Sequence, residues 1–463
     1  MWEGRTITIE PSKVKTEGTP LVKERATSAQ WCILITGRQA NVMILTLAVV
    51  YLAVAGTTMV HTALPTAAAQ IANDTGVPSV LADLPAIGSA VHGAGKLTGV
   101  MVASRMSPRQ MLMCTAAAGT LLPLFFVQGG AISMWMSWLL WQYASSFTMP
   151  AAVMIIVNWI DIEHLGRASA LLGAAWQGGY AMAAGLDAGL LTLESPKRAP
   201  WHFACYAGSF ANFASFMLLL FLVNDSPAMI GLKEASPRQE DLDHPLRKLS
   251  VLAALKMLFR SVPFCFLLLA NVLGSTGFYT HNYLPSFAVK LFLSTDASGA
   301  SCSMYPLIAG LLLLPPLGIL YDNLSDRSRI LLLVSLSLAV GVMAGVLPIA
   351  YATQGLSYTG FCALTTAIMS LFLLPNYILN VVYNSRFGGP EHTGTIINLG
   401  DALGVGYGTI AQLFIGHGLV EANYFTAIAI AAGAWLASSL AALLFLAIHH
   451  LLRRKVSECD SIK

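Results

Sequence analysis

Residues 92–109 read His-Gly-Ala-Gly-Lys-Leu-Thr-Gly-Val-Met-Val-Ala-Ser-Arg-Met-Ser-Pro-Arg. The first half of this stretch ends an apolar run, 80–103, that is long enough to cross a bilayer as a helix of about 20 residues. Lys96 stands inside it. An ammonium at membrane depth costs about 2.5–3.5 kcal/mol even on insertion scales, so a chain that keeps one faces it into a water-filled cavity with an anionic partner. The other reading is that the lysine snorkels to the interface from near the helix end. Arg105, Pro108 and Arg109 then close the run as a tight basic turn between two helices.

The rest of the chain has the same character. Of its 463 residues 56% are hydrophobic and only 11% are charged, a balance that excludes an ordinary soluble domain. The seven cysteines are scattered without C-x-x-C spacing, which predicts neither a metal site nor a disulfide framework. Nothing resembles a nucleotide-binding loop or a metal triad. The expectation is a protein that is not an enzyme, takes no cofactor and no nucleic acid, and has the lipid bilayer as its surroundings.

Residues 1–40 are polar and lack the order of segments that marks a signal peptide, so they read as a cytoplasmic tail. Twelve apolar runs follow, beginning near 41, 80, 110, 132, 170, 203, 262, 299, 330, 358, 395 and 424. The longest polar interruption, 224–261, separates a six-helix half at 41–223 from another at 262–450, with a short tail at 451–463. Placing both termini in the cytoplasm puts 22 of the 26 Lys and Arg residues on that side. Only Lys197, Arg198 and Lys290 fall opposite, as the positive-inside rule requires. The segment Gly318-Ile-Leu-Tyr-Asp322-Asn-Leu-Ser-Asp326-Arg327-Ser-Arg329 occupies the place in the second half that Ser104–Arg109 holds in the first. Twelve helices, a six-plus-six division, a basic central loop and paired short loops outline an all-α, polytopic major facilitator fold. Asp322, Arg327, Arg105 and Arg109 are then candidate gating residues. Ser104 stands where the first copy would carry the acid.

Within that outline Asp225-Ser-Pro-Ala-Met-Ile-Gly-Leu232 is similar to a D-x-P-x-x-x-G-L string and His92–Lys96 is similar to Y-G-x-S-K. In these stretches the chain resembles the organophosphate:phosphate antiporter family. Trp201-His202, Asn158-Trp159 and Ala270-Asn271-Val272 lie at corresponding helix ends. The resemblance implies a phosphate site in which arginines of helices 1 and 7 make bidentate bonds to the anion. In this chain those positions fall on His61 and on Phe278 or Tyr279, and a helix 5 histidine falls near Gly178, so that only Lys96 of the charged set is present.

Other residues with chemistry lie at membrane depth. His61 and His281 sit in corresponding regions of helices 1 and 7, as titratable site groups or as helix-to-helix hydrogen-bonding residues. Asp187 and Asp401 are carboxylates in glycine-rich runs of helices 5 and 11, placed to carry a proton or to pair with a cation. Trp176 and Gln177 offer a stacking face and a neutral hydrogen-bonding group. Three functions remain open on these residues. The first is a secondary active or facilitative carrier of a small anionic organic solute by alternating access, with Lys96 as the charge contact and His61, Tyr279 and His281 lining its cavity. The second is a proton-coupled carrier of a neutral or zwitterionic solute, with Asp401 as the coupling acid and Lys96 its ion partner. The third is a transporter-like receptor without flux. The coupling ion is a proton or an inorganic anion, and plasma and internal membranes stand equally open.

Overall fold

The computed structural model describes residues 38–76, 79–103, 105–161, 164–190, 201–232, 244–246 and 249–461. All but the last three residues of the expected 1–40 tail, together with Ser104, lie outside the described residues. Met43–Lys463 form one compact unit.

An apolar stretch in hydrocarbon must satisfy its backbone internally, and the helix does so residue by residue. Six long helices precede the polar segment: α1 Arg38–Thr75, α2 Ser79–Ala103, α3 Pro108–Gln128, α4 Ala131–Trp159, α5 Leu165–Leu190 and α6 Trp201–Leu222. Six follow it: α7 Val262–Thr280, α8 Asp296–Asn323, α9 Asp326–Ala352, α10 Tyr358–Gly389, α11 (390–420) and α12 Tyr424–Ser461. Side-chain caps set the starts of several. Ser107 and Gln110 make a capping box on α3, and Thr295, Ser325 and Ser357 cap α8, α9 and α10. Among the described residues nine helices are long and apolar enough to cross a membrane. α2, α5 and α11 also have spanning length, and they carry Lys96, Trp176, Gln177, Asp187 and Asp401. Large apolar side chains such as Phe210, Phe221, Leu312 and Leu331 lie exposed on the outside, a surface suited to lipid.

Two departures from the expected runs shape the site. The eleventh helix begins at 390 instead of near 395, because Gly389 takes φ 62°, ψ −172°, a region open essentially to glycine alone, and breaks the helix just before Pro390. α10 also widens into a π stretch over Ile378–Tyr383, three residues after Pro375, which has no amide hydrogen to give.

The two sets of six meet along two seams, α2 against α11 and α5 against α8. The first set packs around Trp138, Trp141, Phe126 and Trp201, and the second around a larger core that includes Phe361, Phe372, Trp435 and Phe445.

Candidate functional site

The α2–α11 seam holds the site. Ser89, His92 and Lys96 recur at helical spacing along one side of α2, all buried. α11 runs antiparallel to it: Ser89 Oγ donates to Gln412 Oε1 at 3.0 Å, Gly93 faces Val405, and Lys96 Nζ donates to Asp401 Oδ2 at 2.8 Å. Gly99 meets Asn398 one turn further on. The side chains of Lys96 and Asp401 are only 5% and 13% exposed, so the pair is desolvated and neutralises itself. Lys96 thus has the anionic partner that its depth required, and that partner comes from the other set of six helices.

Asp401 is held from behind as well. Its Oδ1 accepts from Asn380 Nδ2 at 3.2 Å, Asn384 Nδ2 donates to Asn380 Oδ1 at 3.1 Å, and Asn271 Nδ2 donates to Asn384 Oδ1 at 3.2 Å. The ladder therefore crosses α2, α11, α10 and α7. Asn380 belongs to the π stretch, whose extra residue per turn sets it facing α11. Tyr377 and Tyr279 lie within electrostatic range of the same carboxylate.

On the other side of Lys96, one turn back along α2, His92 Nδ1 lies 3.0 Å from the Gln142 carbonyl and 3.2 Å from Ser145 Oγ. A carbonyl only accepts, so Nδ1 carries the hydrogen and the ring is fixed to α4. The His61 ring stands 5.7 Å from that of His92 and 6.2 Å from those of Trp138 and Tyr180. Tyr180 in turn contacts Trp176 and Phe278, and Phe278 contacts Tyr279. The structure thus joins Lys96 to Asp401 in one ion pair and gathers His61, Trp176 and Tyr279 in one ring cluster, whose Tyr279 lies within electrostatic range of Asp401. Gln177 is buried in the α5–α8 seam against Gly310. Asp187 in α5 and His281, in the 3-10 turn after α7, have side chains outside the described residues.

The loop residues sort differently. Asp322 Oδ2 accepts the Arg167 amide at 2.9 Å and lies 3.2 Å from its Nε, joining α8 to the start of α5. Gly166 permits this: a Cβ there would run into the Asp322 carboxylate. Arg109 binds the end of α6 and the string that follows it. Its amide donates to Asp225 Oδ1 at 2.6 Å and its guanidinium to the carbonyls of Leu219 and Leu220. Asn158 and Trp159 donate to the carbonyls of Asp225 and Asn224, so the Asp225–Leu232 string fastens the end of α6 to α3 and α4. Arg105 and Arg327 are exposed, and the guanidinium that binds the end of α8 is that of Arg329, through the Tyr321 and Asp322 carbonyls.

Sequence reasoning missed Arg167, Asn380, Asn384, Asn398 and the Ser89–Gln412 contact. Two signals were available: an asparagine pair at i, i+4 after a helical proline, and Asn398 three residues before Asp401, each on one helix face in an apolar run.

Solved structures share the fold of this chain. The chain superposes on the proton:xylose symporter XylE bound to 6-bromo-6-deoxy-D-glucose with a TM-score of 0.69 at 13% identity, over 88% of this chain and 95% of that one. It superposes on the human organic anion transporter MFSD10 (TETRAN) with a TM-score of 0.62 at 13% identity, over 87% and 99%. No curated protein sequence matches it. The model of the Major Facilitator Superfamily matches residues 46–411, a stretch that takes in the α5–α8 seam and all of the Lys96–Asp401 ladder. With two sets of six spanning helices and that match over most of its length, this multi-pass membrane protein belongs to the Major Facilitator Superfamily.

Proposed function

We propose that the protein is a secondary transporter of a small organic solute bearing one negative charge, and that Lys96 alternates between Asp401 and the anionic group of the solute. The observation that carries this reading is the buried 2.8 Å Lys96–Asp401 pair, drawn from the two sets of six helices. Opening the α2–α11 seam would leave each charge alone in a poorly solvated place, at a cost of several kcal/mol. A solute anion that takes over Lys96 removes the ammonium's share of that penalty in the open form, so binding and opening are linked through one ammonium. A single firm positive charge suits a monoanion or a zwitterion better than a phosphate dianion. Of the charged set that the organophosphate:phosphate antiporter resemblance implies, this chain has Lys96 alone. The ring cluster of His61, Trp138, Tyr180 and Trp176, which reaches α2 at His92 one turn from Lys96, suits the carbon skeleton of the solute.

A second reading draws on the Asn380 bond to the other oxygen of Asp401. In it Asp401, freed from Lys96, carries a proton together with a neutral or zwitterionic solute. The basic bias places both termini and the 224–261 loop in the cytosol in either reading. The Arg167–Asp322 contact then closes the cytosolic mouth, and the moving bodies are 41–223 and 262–450.

Uptake by reconstituted vesicles tests these readings against a panel of carboxylate monoanions, amino acids, neutral sugars and sugar phosphates. Uptake of monoanions that is abolished by Lys96→Met is the expected result. Uptake of a neutral sugar that survives Lys96→Met and fails in Asp401→Asn favours the second reading. Uptake of sugar phosphates alone overturns both.

A further inference from the structure

Cysteines without close spacing predicted no disulfide, yet the fold sets two of them side by side. α8 and α10 start at the same end and run parallel, and the Tyr358 hydroxyl donates to the Ser298 carbonyl at 2.8 Å, pinning the first turn of one helix to the first turn of the other. Four residues further along each helix stand Cys302 and Cys362. Equal offsets on parallel helices keep partners in register, and here the two thiols lie close enough to interact directly. Both belong to the same core; Cys302 is fully buried and Cys362 is 5% exposed. Tyr358 reaches Cys362 as well, so the pair lies directly beneath the cap that joins the two helix starts.

We propose that Cys302 and Cys362 are a redox-active dithiol that closes to a disulfide by exchange with a small, apolar disulfide entering the α8–α10 seam. Cys362, the more exposed, attacks one sulfur of the reagent as its thiolate; the S–S bond of the reagent breaks, and its first half leaves as a thiol. Cys302 then attacks the Cys362 sulfur of the mixed disulfide, the Cys302–Cys362 bond forms, and the second half leaves. The two protons lost by the cysteines end on the two released thiols, so the dithiol is oxidised by the two electrons that reduce the reagent. The closed form fixes α8 to α10 at the end opposite Asp322. By the basic bias this is the non-cytosolic side, where disulfides persist.

The test uses the purified full-length protein in detergent micelles with 4,4′-dithiodipyridine, followed by maleimide quenching and peptide mapping. A Cys302–Cys362 cross-linked peptide in most chains, reversed by dithiothreitol, is expected. In Cys302→Ser the reaction should stop at a pyridyl adduct on Cys362. Cys114 and Cys265 are exposed and report whether the reagent has reacted. Adducts on those two, with Cys302 and Cys362 left unlinked in the unsubstituted chain, would overturn the proposal.

Discussion

The Asp322 carboxylate caps the amino end of α5: one oxygen lies 2.9 Å from the Arg167 amide and 3.2 Å from its guanidinium. A carboxylate at that place answers both the unpaired amide and the positive end of the helix dipole. Because the acid comes from α8, what stabilises α5 also holds the two sets of helices together at this mouth.

Asp322→Asn keeps an acceptor for the amide and removes the charge. The loss should be about 1–2 kcal/mol for a partly buried capping charge, a shift of roughly 5–30-fold toward the form open at this end. A single cysteine placed beside Arg167 should then react faster with a water-soluble maleimide. Unchanged labelling would show that the contact does not hold the mouth closed.

The Lys96–Asp401 pair predicts a non-additive pattern. Removing one partner leaves the other charge buried and alone, at about 3–5 kcal/mol, whereas removing both leaves none. Lys96→Met and Asp401→Asn should therefore each lower thermal stability in detergent, and the double variant should regain most of the loss. Transport should be absent from the double variant, since the ammonium that the solute needs is gone. Additive losses of stability would mean that the two charges do not compensate each other.

Much of this was legible in the residues. Lys96 and Asp401 stand out because opposite charges in apolar runs need a partner, and Ser107, Ser325 and Ser357 cap helices close to where the apolar runs begin. Arg167 did not stand out, because a basic residue at the start of a spanning helix is also what topology alone demands. Its role depends on the backbone amide beside it and on a carboxylate 155 residues away. Asn380 and Asn384 are neutral and common in packed helices, and the π stretch that aims Asn380 at Asp401 has no one-residue signature. Gly388-Gly389-Pro390 carries a readable turn signal among mostly polar neighbours and separates the tenth and eleventh runs, but the residue at which the eleventh helix starts depends on the backbone angles of Gly389.

Gly389 provides a test of stability remote from the ammonium. Alanine at φ 62°, ψ −172° costs about 1–3 kcal/mol, and its Cβ would lie 2.8 Å from the His244 ring. That ring bonds the Arg386 carbonyl at 3.3 Å, so the clash also loosens the docking of the central segment on the break between α10 and α11. Gly389→Ala should lower the melting temperature. His244→Ala in the same chain should relieve the clash but leave the backbone strain, and so restore only part of the loss. A Gly389→Ala protein as stable as the parent would contradict the positive φ.

The last prediction concerns Asn380, which hydrogen-bonds to Asp401. Its amide holds the second carboxylate oxygen at 3.2 Å and so fixes the direction in which Asp401 presents Oδ2 to the ammonium. Asn380→Leu is nearly isosteric and removes that bond, leaving Asp401 one ionic partner and an unsatisfied oxygen, at about 1–3 kcal/mol. If the solute competes with Asp401 for Lys96, a poorly held carboxylate competes less well. The solute should then bind more tightly, and the maximal rate should fall because the pair that closes the seam re-forms less readily. The expected result is a lower half-saturating concentration with a lower maximal rate, for the same solute in the same vesicles. Asn380→Gln, which keeps the amide on a longer stem, should move both values back toward the parent. A fall in maximal rate with no change in half-saturation would reduce Asn380 to a packing residue of α10.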